Sequence, residues 1–258
     1  SDLEGLHPFE PVEVELMRPL SHIEHNLVAV GSHDLCLDIL ADLLRKRQNK
    51  VTLGSTHVGS LGGLMAIRNG TCHLAGSHLL DAGDGSYNTS FIKRYLPEVP
   101  VRVVHLVQRN QGLIVATGNP KNIDGFEDLL REDITFVNRQ AGSGTRVLLD
   151  HELEARSIDP AGIIGYDTVE FTHMAVAVAV LSGAAHVGLG IRAAARALGL
   201  DFIDVVFEHY ELVIPESCFH DRSIQTLLEI VNSDEFKGRV RELGGYDTSL
   251  AGQTRTIP

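Results

Sequence analysis

Positive charge is in short supply: 22 Lys plus Arg stand against 34 Asp plus Glu in 258 residues, a formal net charge of −12. Binding an extended phosphate backbone needs a basic face dense enough to displace counterions, so nucleic acid is not expected as a partner and any anion site must be local. Long hydrophobic runs are also missing. The longest, Met174 to Leu181, falls far short of the roughly 20 residues that cross a bilayer, so no membrane span is expected. Cysteine is scarce, and Cys36, Cys72 and Cys218 form no CxxC pair. That odd, scattered set suits neither a disulfide framework nor a zinc ribbon and points to a reducing, cytoplasmic compartment. The sequence also lacks a Gly-Lys-Ser/Thr phosphate loop, a GxSxG elbow and an HExxH helix, and Gly188-Leu-Gly190 has no properly spaced third glycine for a dinucleotide fingerprint. A non-catalytic domain without a cofactor is the expectation.

A chain of this length buries roughly three quarters of its unfolded surface, enough for one large core or two lobes. Residues 1–26 differ from the rest. Pro8, Pro11 and Pro19 bracket the alternating run Val12-Glu-Val-Glu-Leu16, which reads as a half-exposed strand, a linker or remnant of a preceding β-domain. Ser1 in place of an initiator Met reads as processing or excision from a longer chain. From Leu27 onward short β-rich runs end in Gly or Ser and lead into helical patterns, which means α/β. The first run, Leu27 to Gly31, precedes a helix over 35–47 that Ser32 or Asp34 can cap. Val51 to Leu53 leads through the loop Gly54 to Gly59 into a helix from Ser60, and His73 to Ser77 leads through an irregular loop into a helix over 89–96. Ligands bind beyond the carboxyl ends of parallel strands, so these three loops are expected to converge.

Residues 101–117 would make an unusually long strand interrupted by Gln108-Arg-Asn-Gln111, and they read as a crossover to a second lobe with the polar tetrad at its hinge. Phe202 to Phe207 reads as a separate strand, followed by a return crossing through Glu208-His-Tyr210 and Glu211 to Ile214. The expected lobes are 27–108 plus 212–258, and 109–211. Met174 to Val180 alternates like a strand, but Thr172 as N-cap, Gly183 as a stop and the alanine content favour a helix.

The strongest local signal is Asn138-Arg139-Gln140-Ala141-Gly142-Ser143-Gly144-Thr145-Arg146. A strand enters it and a helix leaves it, and its glycines let backbone N–H groups approach a ligand closely. It reads either as an anion cradle, with Ser143 and Thr145 as hydroxyl donors and Arg139 as a direct contact, or as an ordinary Gly-rich turn; Arg146 would face solvent. Ser55, Thr56 and Ser77 occupy matching positions in the first lobe. Converging hydroxyls and amides suit a compact, ionised oxyanion. Asp34 would disfavour one if it entered the site, and otherwise only caps its helix. His33, His57, His78 and His173 fall in loops facing the same cleft. They are either solvated residues, tuners of proton-dependent anion binding, or ligands to a transition metal, and no tight ligand spacing supports the metal.

From Leu27 to Gln253 the chain resembles a type 2 periplasmic-binding-protein-like domain. The resemblance is carried by Gly31-Ser-His-Asp34, by Arg109-Asn-Gln-Gly-Leu113 through Gly118-Asn-Pro120, by Asn138 to Arg146, and by Gly188-Leu-Gly190. It implies a two-lobed α/β fold with two crossover strands and a central cleft. The branch most similar is the cytoplasmic one fused to molybdopterin molybdenumtransferases or helix-turn-helix regulators and related to molybdate- and tungstate-binding proteins. The ligand-binding residues so implied are Ser32, His33, Ser55, Thr56, His57, Ser77, Arg139, Gly142, Ser143, Gly144, Thr145 and His173, with molybdate or tungstate as ligand and a fused enzyme or regulator as partner. An importer's solute receptor and an enzyme acting on a pterin or phosphorylated substrate are the alternatives.

Overall fold

The computed structural model describes residues 11–17, 20–47, 51–81, 83 and 85–258; Pro8 and Pro19 lie outside the described residues. Val12 to Leu16 pairs with no strand and is exposed, so the expected edge strand does not form there. A short helix, α1 (Leu20–Glu24), leads into β1 (Asn26–Gly31), α2 (Leu35–Lys46) and β2 (Thr52–His57). The parallel pair β1–β2 runs to Gly31 opposite His57, so β2 is longer than its apolar residues announce. Next come α3 (Gly59–Arg68), β3 (Ala75–Ser77) and α4 (Thr89–Tyr95). β1 continues toward β3 through the amide of Ser32, which donates to Gly76 O at 2.9 Å.

The chain then enters β4 (Val101–Val115), a single strand of 15 residues. At about 3.3 Å per residue such a strand is roughly 50 Å long, enough to run through two lobes. Its antiparallel partner is equally long: after β5 (Phe136–Arg139), α5 (Gly144–Ala155), β6 (Val169–Glu170), α6 (His173–Leu181), β7 (Val187–Ile191) and α7 (Arg192–Ala197) comes β8 (Asp201–Pro215). The expected break at Gln108–Gln111 is absent. The polar tetrad stays in the ladder because it faces polar partners, with Gln108 opposite His209 and Arg109 opposite Glu208. The irregularity takes the form of two register shifts, at His105/Val107 and at Gln111/Gly112, which flank the polar stretch. For the same reason Phe202–Phe207 and Glu208–Ile214 are one strand rather than two.

The chain closes with α8 (Glu216–Phe219), α9 (Arg222–Asn232), α10 (Asp234–Leu243), β9 (Tyr246–Asp247) and β10 (Thr254–Ile257), the last two pairing with β4. The large sheet runs β3-β8-β4-β7-β5-β6. In the first lobe, α2, α9 and α10 cover one face through Leu40, Leu44, Leu227 and Phe236, while α3 and α4 cover the other through Leu64, Ile67 and Ile92. In the second, α5 packs Leu148 and Leu149 with Phe136 and Leu189, and α6 and α7 pack Val176, Val180 and Ala194 with Val137 and Ile191. The run from His173 to Leu181 is helical as expected: the Thr172 side chain accepts from Ala175 N and Gly183 adopts positive φ just past its end.

Candidate functional site

At the crossing of β4 and β8, strand alternation places Arg109 and Gln111 on one face of β4. Arg109 is completely buried. Its Nη1 donates to Asp34 Oδ2 at 2.5 Å and its Nε to Glu208 Oε1 at 2.5 Å. Burial alone would lower the guanidinium, but Glu208 and Asp34 outweigh it and raise it. Burial likewise works to raise the Asp34 and Glu208 carboxyls, and Arg109 overrides it and holds both below their ordinary values. The reading in which Asp34 only caps its helix is therefore too narrow. It caps α2 through Cys36 N, at 2.8 Å, and it anchors Arg109.

Around this ion triad the network is closed by neutral groups. Gln111 Nε2 donates to Glu208 Oε2 at 2.5 Å, Tyr246 OH to Asp34 Oδ2 at 3.0 Å and Tyr210 OH to Ser32 O at 2.6 Å. His78 Nδ1 faces Glu208 Oε2 at 2.9 Å and its Nε2 lies 2.8 Å from Ser32 Oγ. With Nδ1–H donating to the carboxylate, the neutral ring accepts from the Ser32 hydroxyl. Burial lowers this imidazole despite the opposing pull of Glu208.

From the second lobe comes Arg139, also buried, at the end of β5. Its Nε donates to Glu170 O at 3.1 Å and to Gln140 Oε1 at 3.2 Å, and Nη2 to Phe171 O at 2.9 Å, all neutral carbonyl oxygens. No carboxylate pairs with it among the described residues, and burial followed by repulsion from Arg109 pushes it down to about 10. A buried guanidinium held only by carbonyls retains a full positive charge in need of a partner. His173, the first residue of α6, is buried beside it. Burial, then Arg139, Arg109, His78 and His33, put its imidazole well below the ordinary range. His33 and His57 stack edge to face, 4.3 Å between centroids, at the carboxyl ends of β1 and β2.

The lobes touch here. Leu61 N donates to Gly142 O at 3.4 Å, and the turn before α5 lies against His78. A β-carbon on Gly144 would sit 2.6 Å from the His78 carbonyl oxygen, closer than any side chain permits, so only glycine lets the turn approach. Gly142 takes φ +81°, a left-handed conformation that favours the same residue. Ser143 caps α5 by accepting from Arg146 N, and Arg146 turns outward to Asp150.

The sequence-based candidates sort clearly. Ser32, His33, His57, Arg139, Gly142, Ser143, Gly144, Thr145 and His173 gather around the crossing. Ser77 is buried, but its hydroxyl donates to Asn88 Oδ1 at 2.7 Å and so holds the loop instead of facing the cleft. Ser55 and Thr56 lie exposed on β2, because that strand runs on to His57 and leaves them short of its carboxyl end. The inner hydroxyl after β2 is Ser60, which accepts from His78 N at 3.3 Å. Arg109 and Gln111 read as hinge residues, and neither they nor Glu208, Ser60 and Tyr246 stand among the expected ligand contacts. The signal for Arg109, Gln111 and Glu208 is polar residues within the apolar strands β4 and β8; Ser60, on α3, and Tyr246, on β9, carry no such signal. Elsewhere, His105, His209 and Glu211 gather within 4.8 Å, but Arg255 and Asn88 bind both Glu211 oxygens, so that carboxylate is committed to them.

Buried side-chain atoms with no hydrogen-bond partner among the described residues include Arg109 Nη2, Gln111 Oε1, Arg139 Nη1, Thr145 Oγ1 and both ring nitrogens of His173. Buried polar atoms are normally satisfied, and four or more of these can donate. They leave a donor-rich cluster of buried polar atoms where the two halves meet. Consistently, the PBP superfamily domain model matches residues 41–232, and the chain belongs to that family. The protein YvgK of Bacillus subtilis strain 168 is 37% identical over 226 residues, 88% of this chain and 72% of YvgK. Among solved structures, a phosphate-bound substrate-binding protein from Clostridium perfringens matches with TM-score 0.62 and 14% identity, covering 84% of this chain and 97% of that one. A tungstate ABC transporter structure from Geobacter sulfurreducens matches with TM-score 0.61 and 13% identity, covering 85% and 99%. At these identities the structural likeness speaks for the fold.

Proposed function

We propose that this domain binds a small oxyanion between its lobes, with molybdate or tungstate as the ligand class, and acts as a cytoplasmic sensor or supply module for an enzyme or regulator of molybdenum-cofactor synthesis. One observation carries the binding reading: Arg139 is a buried guanidinium with no carboxylate partner among the described residues, and its Nη1, Thr145 Oγ1, the nitrogens of His173 and Nη2 of Arg109 are buried polar atoms left without a hydrogen-bond partner there. Such a cluster is unfavourable until an anion accepts from it. Gly144 N–H and Thr145 N–H, at the N-terminus of α5, lack helical acceptors and add to the attraction. Because the ligand touches groups from both lobes, it binds their closed arrangement better than an open one, which makes closure the signal. In this reading residues 27–108 and 212–258 move against 109–211.

Calorimetric titration with molybdate, tungstate, phosphate and sulfate tests the reading, and a folded protein giving no heat with any of them removes it. Arg139→Gln removes the charge, and weaker binding by about 2–5 kcal/mol is expected, the range for a buried charged contact deprived of its partner. The likeness to transporter substrate-binding proteins favours a second reading, an importer's solute receptor. The segment encoded before Ser1 separates the two: an enzyme or regulator domain supports the sensor, and a secretion or lipoprotein signal supports the receptor.

A further inference from the structure

The fixed charges around the site cancel. Arg109 and Arg139 supply two positive charges, and Asp34 and Glu208 supply two negative ones. Neither carboxylate is free to withdraw, since Asp34 accepts from Cys36 N, Arg109 and Tyr246, and Glu208 from Arg109, His78 and Gln111. A dianion entering between them would leave two uncompensated negative charges in a place closed to water, which is strongly unfavourable. The orphaned atoms indicate how this is resolved. Gln111 must turn its Nε2 to the Glu208 carboxylate, so its unpartnered Oε1 is an acceptor. Neutral His173 has one donor and one acceptor nitrogen, both buried and unpartnered. A fully ionised oxyanion can only accept. It can accept from only one of the two nitrogens, which point away from each other, but His78 has both of its nitrogens committed to Glu208 and Ser32, so His173 is the imidazole of the site left to take up a proton.

We propose that the inter-lobe site takes up a dianionic oxyanion together with one proton, and that His173 is the residue that carries it. This rests on the oxyanion reading above and specifies its charge. His173 is faced by Arg139 from β5, Arg109 from β4, His78 from the loop after β3 and His33 from the loop after β1. Behind it on β7 stands Gly190, which brings no charge, and from β6 Glu170 gives Arg139 its backbone carbonyl. Glu208 and Asp34, the carboxylates of the network, are both spent on Arg109. Without an anion this surrounding, together with the positive end of α6, keeps the ring neutral. A dianion placed among the same groups reverses the sign of the local field, and protonation follows binding.

The experiment is isothermal titration of the whole chain with molybdate, and separately with sulfate, each fully ionised near neutral pH, in Tris and in HEPES. The expected result is an apparent enthalpy that differs between buffers by about one proton's worth of ionisation heat, and an affinity that rises about tenfold for each unit the pH falls above neutrality. His173→Gln should still bind, more weakly, with its pH slope flattened, while His220→Gln, at an exposed imidazole beyond α8, keeps the slope. Wild-type binding with no proton taken up overturns the proposal and leaves oxyanion binding standing, and so does a His173→Gln protein with an unchanged slope. No heat with either anion in either buffer removes the oxyanion reading itself.

Discussion

Asp34 serves two masters at once, the first turn of α2 and the guanidinium of Arg109. Removing it takes away a helix cap, about 1 kcal/mol, and leaves Arg109 with one carboxylate in place of two, so Asp34→Ala should lower stability by about 3–5 kcal/mol in urea unfolding. The cap was legible from its place after β1, and entry into the site was the alternative reading. Their coincidence was not, because Arg109 is 75 residues away and stands in what reads as an interrupted strand. Arg139 shows the opposite case. Its place between a strand and a Gly-rich turn marked it as a ligand contact, while its defining property, burial without a carboxylate, belongs to the packed structure.

At the level of elements, the turn between β5 and α5 was readable because strand, glycines, cap and helix follow one another in sequence. The ladder of β4 with β8 was not. A polar tetrad looks like a break until the partner strand offers Glu208 and His209 opposite Arg109 and Gln108. The approach of the α5 turn to His78 depends on Gly144, where a methyl group would collide with the His78 backbone and ring. Gly144→Ala should therefore hold the lobes apart: oxyanion affinity should fall by tenfold or more, about 1.4 kcal/mol, with the far-ultraviolet dichroism of the wild type retained. A variant that binds as tightly as wild type would show that the contact is not needed for closure.

For the molecule as a whole, ligand and proton act on the same equilibrium. An anion at about 100 times its dissociation constant adds about 2.7 kcal/mol, which for a chain of this size raises the melting temperature by roughly 5–10 °C. Without anion the sign of the pH effect follows from the imidazoles. Burial lowers His57, His78 and His173 in the fold, so the unfolded chain binds more protons once the pH drops below the ordinary imidazole range. Stability should decline from about pH 7 to 5, as differential scanning calorimetry would record, and His173→Gln should flatten that decline. Asp34, Glu208 and Glu211 are depressed by their cationic partners, Glu211 to about 2. Their contribution persists through that window and is lost only at more acid pH.

The sequence by itself determined the α/β grammar, the helix over His173–Leu181 and the glycine-rich turn after β5, because each is a short-range matter of periodicity, capping and backbone freedom. Tertiary structure decided which polar groups are spent on one another and which are left over. It committed Ser77 to Asn88, placed Ser55 and Thr56 on an exposed edge and tied Arg109 to two distant carboxylates. It left Arg139 without a carboxylate and His173 without a hydrogen-bond partner among the described residues, since a hydrogen bond between residues a hundred positions apart is set by packing and leaves no local trace.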